Sequence, residues 1–299
     1  MAKLYGGVET GGTWCVCALG TGPEEIRAHE QFPTTTAEET LERIVAFFRA
    51  QPAPAAIGIG SFGPIDPDPT SPTWGYVTTT PKPGWQRTPV APVVRDELGV
   101  PVVFDTDTSA AAMGEQRWGA GRGDASLCYL TVGTGIGAGF VLDGHPLRGL
   151  VHPEAGHIRI PHDHRRDPFP GACPVHGDCW EGLASGTAMA ERWNQPAEKL
   201  PDDHAAWSLE AEYLALGILS IVCIASPHRV IAGGGVMGHP HLIEAVRDRL
   251  RALIAGYLDT PMLGEHINDY LVPPKLGDNA GALGALALAQ LYDCPTRAA

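Results

Sequence analysis

Three soft ligands stand at intervals of three residues in Cys173-Pro-Val-His176-Gly-Asp-Cys179, and His157 precedes them by a loop-sized gap. Two thiolates and two imidazoles make a closed tetrahedral zinc site, whose role is structural because no position is left open to activate water. His152, His162 and His164 are near enough in sequence to replace one of the four, and spacing alone leaves them open. A second set of candidates is built on glycine. Glu9-Thr10-Gly11-Gly12-Thr13 and Gly133-Thr134-Gly135-Ile136-Gly137 each join two apolar runs, and Gly233-Gly234-Gly235 follows a third. A phosphate chain needs backbone N–H donors brought close with no Cβ in the way; glycine permits that approach and Thr hydroxyls add donors. A tight hairpin without a ligand explains any one such turn. Three in this order point to a phosphate ligand, with Gly233–Gly235 letting a flat nucleotide lie against the backbone. No GxxxxGK[ST] stretch is present, which argues against a Walker-type loop.

Asp107 closes Phe104-Asp105-Thr106-Asp107 just ahead of a helical pattern. It can cap that helix. At the mouth of a parallel sheet it can also take the proton of a hydroxyl that attacks a phosphoryl group.

The elements that must carry these residues are legible from periodicity. Residues 4–9, 14–19, 55–60, 100–104, 127–132, 136–142 and 229–232 read as strands. Residues 37–50, 90–98, 108–118, 180–193, 206–224, 242–258 and 280–292 read as helices. Residues 65–89 hold many Pro, Thr and Gly without a period and read as a long ordered loop, which at this length is more often functional than not. The glycine run 119–123 is a plausible boundary, and the strand–glycine–strand form recurs after it. Strands followed by helices, twice over, predict an α/β protein of two related halves. Residues 1–118 with the final helix 280–299 form the smaller N-terminal domain, and 119–279 the larger one with the metal segment. Cys15 and Cys17 share a strand face and, like Cys128 and Cys223, read as packing residues.

Composition narrows the function. At 299 residues with 44% hydrophobic and 18% charged side chains, the chain is ordinarily globular, not disordered. A formal charge of -13 repels nucleic acid and anionic lipid, so neither is an expected partner. No run of about 18 apolar residues suggests a membrane span. The N-terminus lacks a signal-peptide pattern, and seven scattered cysteines do not form a disulfide framework. The expected compartment is the cytoplasm.

The motifs in order are Glu9-x-Gly-Gly-Thr13, Ser61-Phe-Gly-Pro64, Asp107 before Ala110-Ala-Ala-Met-Gly-Glu115, Gly133-Thr-Gly135, Glu154-Ala-Gly-His157, the Cys/His cluster, Gly233-Gly-Gly-Val236 and Gly277-Asp-Asn-Ala-Gly281. This order resembles the ROK family of sugar kinases over nearly the whole chain. Thr79-Thr-Pro-Lys-Pro-Gly-Trp85, His152-Pro-Glu-Ala-Gly-His157 and Cys173-x-x-His176-x-x-Cys179 look most like its bacterial fructokinase branch. The resemblance implies two ribonuclease-H-like domains of the actin-like ATPase kind with a cleft between them, binding ATP, Mg²⁺ and a hexose. It implies Asp107 as catalytic base, and Thr10, Gly11, Gly12, Thr13, Gly133, Thr134, Gly135 and Gly233 to Gly235 on ATP. Gly63, Thr106, Glu154, His157 and Glu181 would touch the sugar, with His157 also on structural Zn²⁺ and Glu9 holding a Mg²⁺-bound water. It also implies a final helix that crosses back onto the N-terminal domain, and a homodimer. The expected reaction is phosphorylation of D-fructose to fructose 6-phosphate, with mannose or glucose as other hexoses. A ROK-type repressor would need a DNA-binding domain ahead of the first glycine turn, and a sugar-binding scaffold would lack the base. Four positions depart from the wider family, among them His176, which replaces part of its three-cysteine pattern and again favours the fructokinase branch. Glu9 stands where Asp is usual, and Trp14 where Lys is frequent, which leaves the phosphate environment less positive. Thr106 stands where glucokinase-like members carry Asn.

Overall fold

In a computed structural model, which describes residues 3–293, the first glycine turn joins β1 (Tyr5–Thr10) to β2 (Trp14–Gly22) in antiparallel register, with Val8 opposite Cys17 and Thr10 opposite Cys15. β3 (Glu25–Pro33) continues the meander. Thr36 caps α1 (Ala37–Arg49) by accepting from the Glu39 N–H, and the helix buries Leu41, Ile44, Val45 and Phe48 at helical spacing. β4 (Ile57–Ser61) pairs parallel with β1. α2 (Val90–Leu98) stops at Gly99, whose φ of 66° is the left-handed conformation that glycine adopts without strain. β5 (Val102–Thr106) pairs parallel with β4, giving the order β3-β2-β1-β4-β5, and leads into α3 (Asp107–Trp118).

The second half repeats this plan. β6 (Ser126–Val132), β7 (Ile136–Leu142) and the short β8 (His145–Pro146) come first. After the irregular segment come α4 (Trp180–Ala184), α5 (Gly186–Trp193), α6 (Ala205–Ala225), β9 (Arg229–Gly233), α7 (Leu242–Ile254), α8 (Ile267–Tyr270) and β10 (Leu271–Val272). The sheet order β8-β7-β6-β9-β10 matches that of the first sheet, with β6, β9 and β10 parallel. The chain is thus an α/β protein of two related halves, as the sequence pattern predicts, and of the ribonuclease-H-like kind that the resemblance implies.

The chain divides into two compact units. One comprises the described parts of Met1–Ala125, Gly139–Pro153 and Lys275–Ala299; the other comprises Ser126–Ala138 and Glu154–Pro274. In the first unit α9 (Ala280–Gln290) is apolar all round and buried along its whole length, the signature of a core helix. It comes very close to its neighbours: a Cβ on Gly58 of β4 would lie 1.9 Å from the Ala285 carbonyl oxygen, and one on Gly284 would lie 1.8 Å from that of Ala110. In Gly58-Ile-Gly60-Ser-Phe-Gly63, a stretch with dinucleotide-fingerprint spacing that the sequence reading did not find, Gly58 and Gly60 are therefore there for packing, against α9 and against Ala110 of α3.

Three further expectations need correction. The 180–193 helix is two helices, because the Ser185 hydroxyl accepts from the Ala188 N–H and starts a new one. α6 is long and apolar enough to cross a membrane by length and composition, although no uninterrupted apolar run marks it. Half of that window is buried in the protein. Glu212 on it pairs with Arg166 and, at 3.2 Å, with Arg249, and Gly217 makes room for the Trp180 indole. Cys15, Cys17 and Cys128 are buried as expected, whereas Cys223 is exposed beside Ile224, and Cys294 lies outside the described residues.

Candidate active site and metal cluster

β5 delivers two aspartates to the start of α3, and their surroundings separate them. Asp105 is fully buried and accepts from Arg148 Nε at 2.7 Å and from the Thr106 N–H at 2.8 Å. Asp107 accepts the Thr108 N–H, at 2.7 Å, and its own backbone N–H, and no described cation pairs with it. The cap of α3 is Thr106, whose hydroxyl accepts from the Ser109 N–H at 3.1 Å, so capping does not occupy the Asp107 carboxylate. This corrects the capping alternative for Asp107. Burial pushes Asp107 up to about 6. Glu9, at the end of β1, is pushed up to about 7 by burial and then by the charge of Asp107. Its carboxylate lies over the first turn of α9, where a Cβ on Gly281 would come within 2.0 Å of the Glu9 carboxyl carbon. A carboxylate there faces the positive end of a helix.

The first glycine turn is braced from behind. Gly11 N–H donates to the Trp14 carbonyl at 2.9 Å, and the Thr34 hydroxyl donates to the Gly11 carbonyl at 2.8 Å. Thr10 is buried with its hydroxyl on the Gly60 carbonyl, while Gly12 and Thr13 are exposed. A Cβ on Gly12 would meet nothing within 4 Å. Gly63 follows β4 in the Ser61–Pro64 turn.

In the second unit the glycines sort the same way. Cβ atoms on Gly133 and Gly235 would meet nothing within 4 Å. Gly135 makes room for Glu181, whose carboxylate accepts the Ile136 N–H at 3.0 Å. Gly233 abuts Pro274, and Gly234 abuts the Val132 backbone at φ 94°. Gly133, Thr134, Thr187, Glu191, Gly235 and Val236 line part of a cavity of about 640 Å³. The Thr187 hydroxyl donates to the Thr134 carbonyl at 2.8 Å, and the Gly186 N–H to that of Gly133 at 2.7 Å. This is a pocket with backbone groups at its floor, sized for a nucleotide. A larger hollow, about 820 Å³, lies by Trp207 and His239 and includes none of the turn residues.

The Cys/His cluster assembles as spaced. His157 Nδ1 is 3.8 Å from Cys173 Sγ and 3.6 Å from Cys179 Sγ, and His176 Nδ1 is 3.7 Å from Cys173 Sγ. A tetrahedral zinc with Zn–S of about 2.3 Å and Zn–N of about 2.0 Å sets sulfur and nitrogen roughly 3.5 Å apart, so the donor set fits that ion. Burial and the neighbouring Cys173 push the Cys179 thiol up to about 11, a state a cation would reverse. The other histidines are occupied elsewhere. His152 is buried and its Nε2 accepts the Ile65 N–H at 3.0 Å; burial lowers its pKa. His162 and His164 gather on Asp178 at 3.3 and 3.8 Å. Both sulfur contacts of His157 use Nδ1, so Nε2 points away from the cluster. Glu154 stands exposed just ahead of the short 3₁₀ turn Ala155–His157.

Sequence reasoning missed Gly281 as the seat of Glu9, Arg148 as the partner of Asp105, and Thr106 as the cap. Only the last had a local signal, a Thr three residues ahead of a backbone N–H that needs an acceptor.

A family model described as the ROK family matches residues 5–291. A fructokinase of Zymomonas mobilis is 43% identical over 295 residues, covering 96% of each chain. The crystal structure of a ROK hexokinase from Thermus thermophilus superposes with a TM-score of 0.79 at 28% identity, covering 97% of this chain and 99% of that one. A ROK family glucokinase from Streptomyces griseus, solved with glucose and AMPPNP, gives 0.73 at 26% identity, covering 96% of this chain and 99% of that one.

Proposed function

From the premise that this chain belongs to the ROK family, we propose that it is an ATP-dependent fructokinase of the cytoplasm, acting as a homodimer. The observation that carries the reading is Asp107: a carboxylate freed from capping and from any described cation, held near neutrality by burial. Such a group accepts a proton at physiological pH. Asp107 takes the proton of the sugar hydroxyl as its oxygen bonds to the γ-phosphorus and the bond to the ADP oxygen breaks. Gly12 and Thr13 on one turn, and Gly133, Thr134 and Gly235 on the other side of the motif series, offer open backbone to the phosphates. Glu9, an acid with another acid near it and no described cation partner, suits a water held by Mg²⁺; that ion, when bound, neutralises phosphate charge. For the sugar we propose Gly63, Thr106, Glu154, Glu181 and His157, the last through Nε2. Zn²⁺ on Cys173, His176, Cys179 and His157 would fill a closed site with no open position, so it pins the irregular segment and takes no part in the chemistry. Support for fructose comes from the 43% identity to a fructokinase over nearly the full length. The test is a coupled ADP-release assay with fructose, mannose and glucose. Fructose should give the highest kcat/KM; a preference for another hexose would move the substrate, and no turnover with any would sink the reading.

A further inference from the structure

We propose that Lys82 is the cation that meets the phosphoryl end of the nucleotide at the first glycine turn, an inference that rests on the kinase reading above. The stretch Glu9–Trp14 carries a carboxylate and no cation. Neither Glu9 nor Asp107 has a cation among the causes of its shifted pKa. A polyanionic ligand at this turn would face uncompensated acids unless charge is delivered from elsewhere in the chain.

The long loop 65–89 delivers it. Trp85 is fully buried, its indole N–H donates to the Thr35 carbonyl at 3.0 Å, and its ring meets Phe62 edge-on at 5.1 Å. The Lys82 N–H donates to the Thr80 hydroxyl at 3.3 Å, and the Gln86 amide to the Thr80 carbonyl at 2.9 Å. Pro81 and Pro83 restrict the backbone on either side. So fixed, the Lys82 ammonium donates to the Gly12 carbonyl at 2.6 Å and the Thr34 carbonyl at 3.4 Å, 5.9 Å from the centre of the Phe62 ring. An ammonium has three donors and no acceptor. Two are turned to carbonyls and one is left, beside the glycine whose absent side chain leaves open space.

No described carboxylate forms an ion pair with Lys82, in a chain with 34 acidic and 21 basic residues. Tying a loop to two carbonyls needs a donor but not a charge, and holding an unpaired, partly buried charge costs free energy. A phosphate oxygen supplies the missing counter-charge and a charge-assisted hydrogen bond. As the phosphoryl group passes from ADP oxygen to sugar oxygen and the sugar proton goes to Asp107, Lys82 keeps its own proton and its hydrogen bond to the transferring group.

The experiment compares the full-length wild type with Lys82→Met, Lys82→Gln and Lys82→Arg, by steady-state kinetics and by calorimetric titration with ATP and AMP. In Lys82→Met, kcat/KM for ATP should fall on the order of 10–100-fold and ATP affinity with it, while AMP affinity and the fructose KM stay within about twofold. Lys82→Gln, which keeps a donor and loses the charge, should resemble Lys82→Met, and it replaces that variant should Met not fold. Lys82→Arg should recover most of the loss. Unchanged ATP parameters in Lys82→Met would overturn the proposal. So would equal losses of ATP, AMP and fructose with a lowered Tm, or full rescue by Gln, since either marks a structural tie. The titrations decide this even if the wild type phosphorylates no hexose, so loss of the kinase reading and loss of the Lys82 proposal are distinguishable.

Discussion

The two halves share a strand order and place a glycine turn at the same point of the plan, yet they are loaded differently. In the first, the turn is bordered by two acids raised towards neutrality. In the second, the neighbouring acid Glu181 is occupied by the Ile136 N–H, the turn lines a cavity of about 640 Å³, and a Cys/His group with the donor set for a metal ion is inserted ahead of the first helix. A repeated sheet supplies a repeated backbone feature. What distinguishes the copies is what the intervening elements bring: α3 brings Asp107 to one, and the 143–179 segment brings the cluster to the other.

The comparison breaks first at Asp107. Asp107→Asn should lower kcat by roughly 10²–10⁴ with modest change in fructose affinity, measured by the coupled assay. Turnover within a few-fold of wild type would move the chemistry out of the first half. The second half should answer differently. Wild-type protein from metal-replete expression should carry one zinc per chain by elemental analysis, and Cys179→Ser should lose it. The same variant should lower Tm and weaken fructose binding on the order of tenfold, more than ATP binding, because the ligands flank Glu154 and Glu181 and not the open glycines. Acid should discriminate the halves too. Asp107 must be ionised to accept a proton, so kcat/KM should fall as pH drops through about 6, approaching tenfold per unit below it, and this limb should vanish from residual Asp107→Asn activity. Finer still is Gly133→Ala, which meets nothing within 4 Å and should leave Tm unchanged while raising the ATP KM a few-fold. Gly135→Ala should act instead by displacing Glu181.

The smallest expected effect concerns stability. Folding raises Asp107 from 3.8 to about 6, so between those values the folded state holds the extra proton and stability declines as pH rises. At pH 7 the ionised group is a cost, and Asp107→Asn should stabilise the protein by about 1–2 kcal/mol, allowing for partial solvent access. A thermal melt at pH 7 and pH 4 checks it: the variant's advantage should shrink at the lower pH.

Elements with a strong period were legible in sequence. Residues 90–98 and 136–142 have the predicted bounds, and the Cys/His spacing assembled the cluster. β3 went unseen because it is largely exposed and Glu30 interrupts the weak alternation of Ile26, Ala28 and Phe32 with polar residues. The exposed Cys223 was misjudged because a run of apolar residues on a helix does not say which of them faces out. Asp105 and Asp107 could not be told apart by composition, since Arg148, which distinguishes them, lies 43 residues away. Lys82 lies within the Thr79–Trp85 motif, but the motif gave it no role: its neighbours are aperiodic, and only tertiary packing of Trp85 aims it.

The placement of α9 has a consequence for how the protein is made. The sheet of the first unit has glycines, Gly7 and Gly58, that α9 packs on, yet the ribosome delivers that helix roughly 160 residues after α3, on the order of 10–30 s later at the usual pace of synthesis. The second unit can therefore complete itself while the first still waits with its glycine face bare. Vectorial synthesis is reversed here, and the half that carries the proposed base is the last to become a shape.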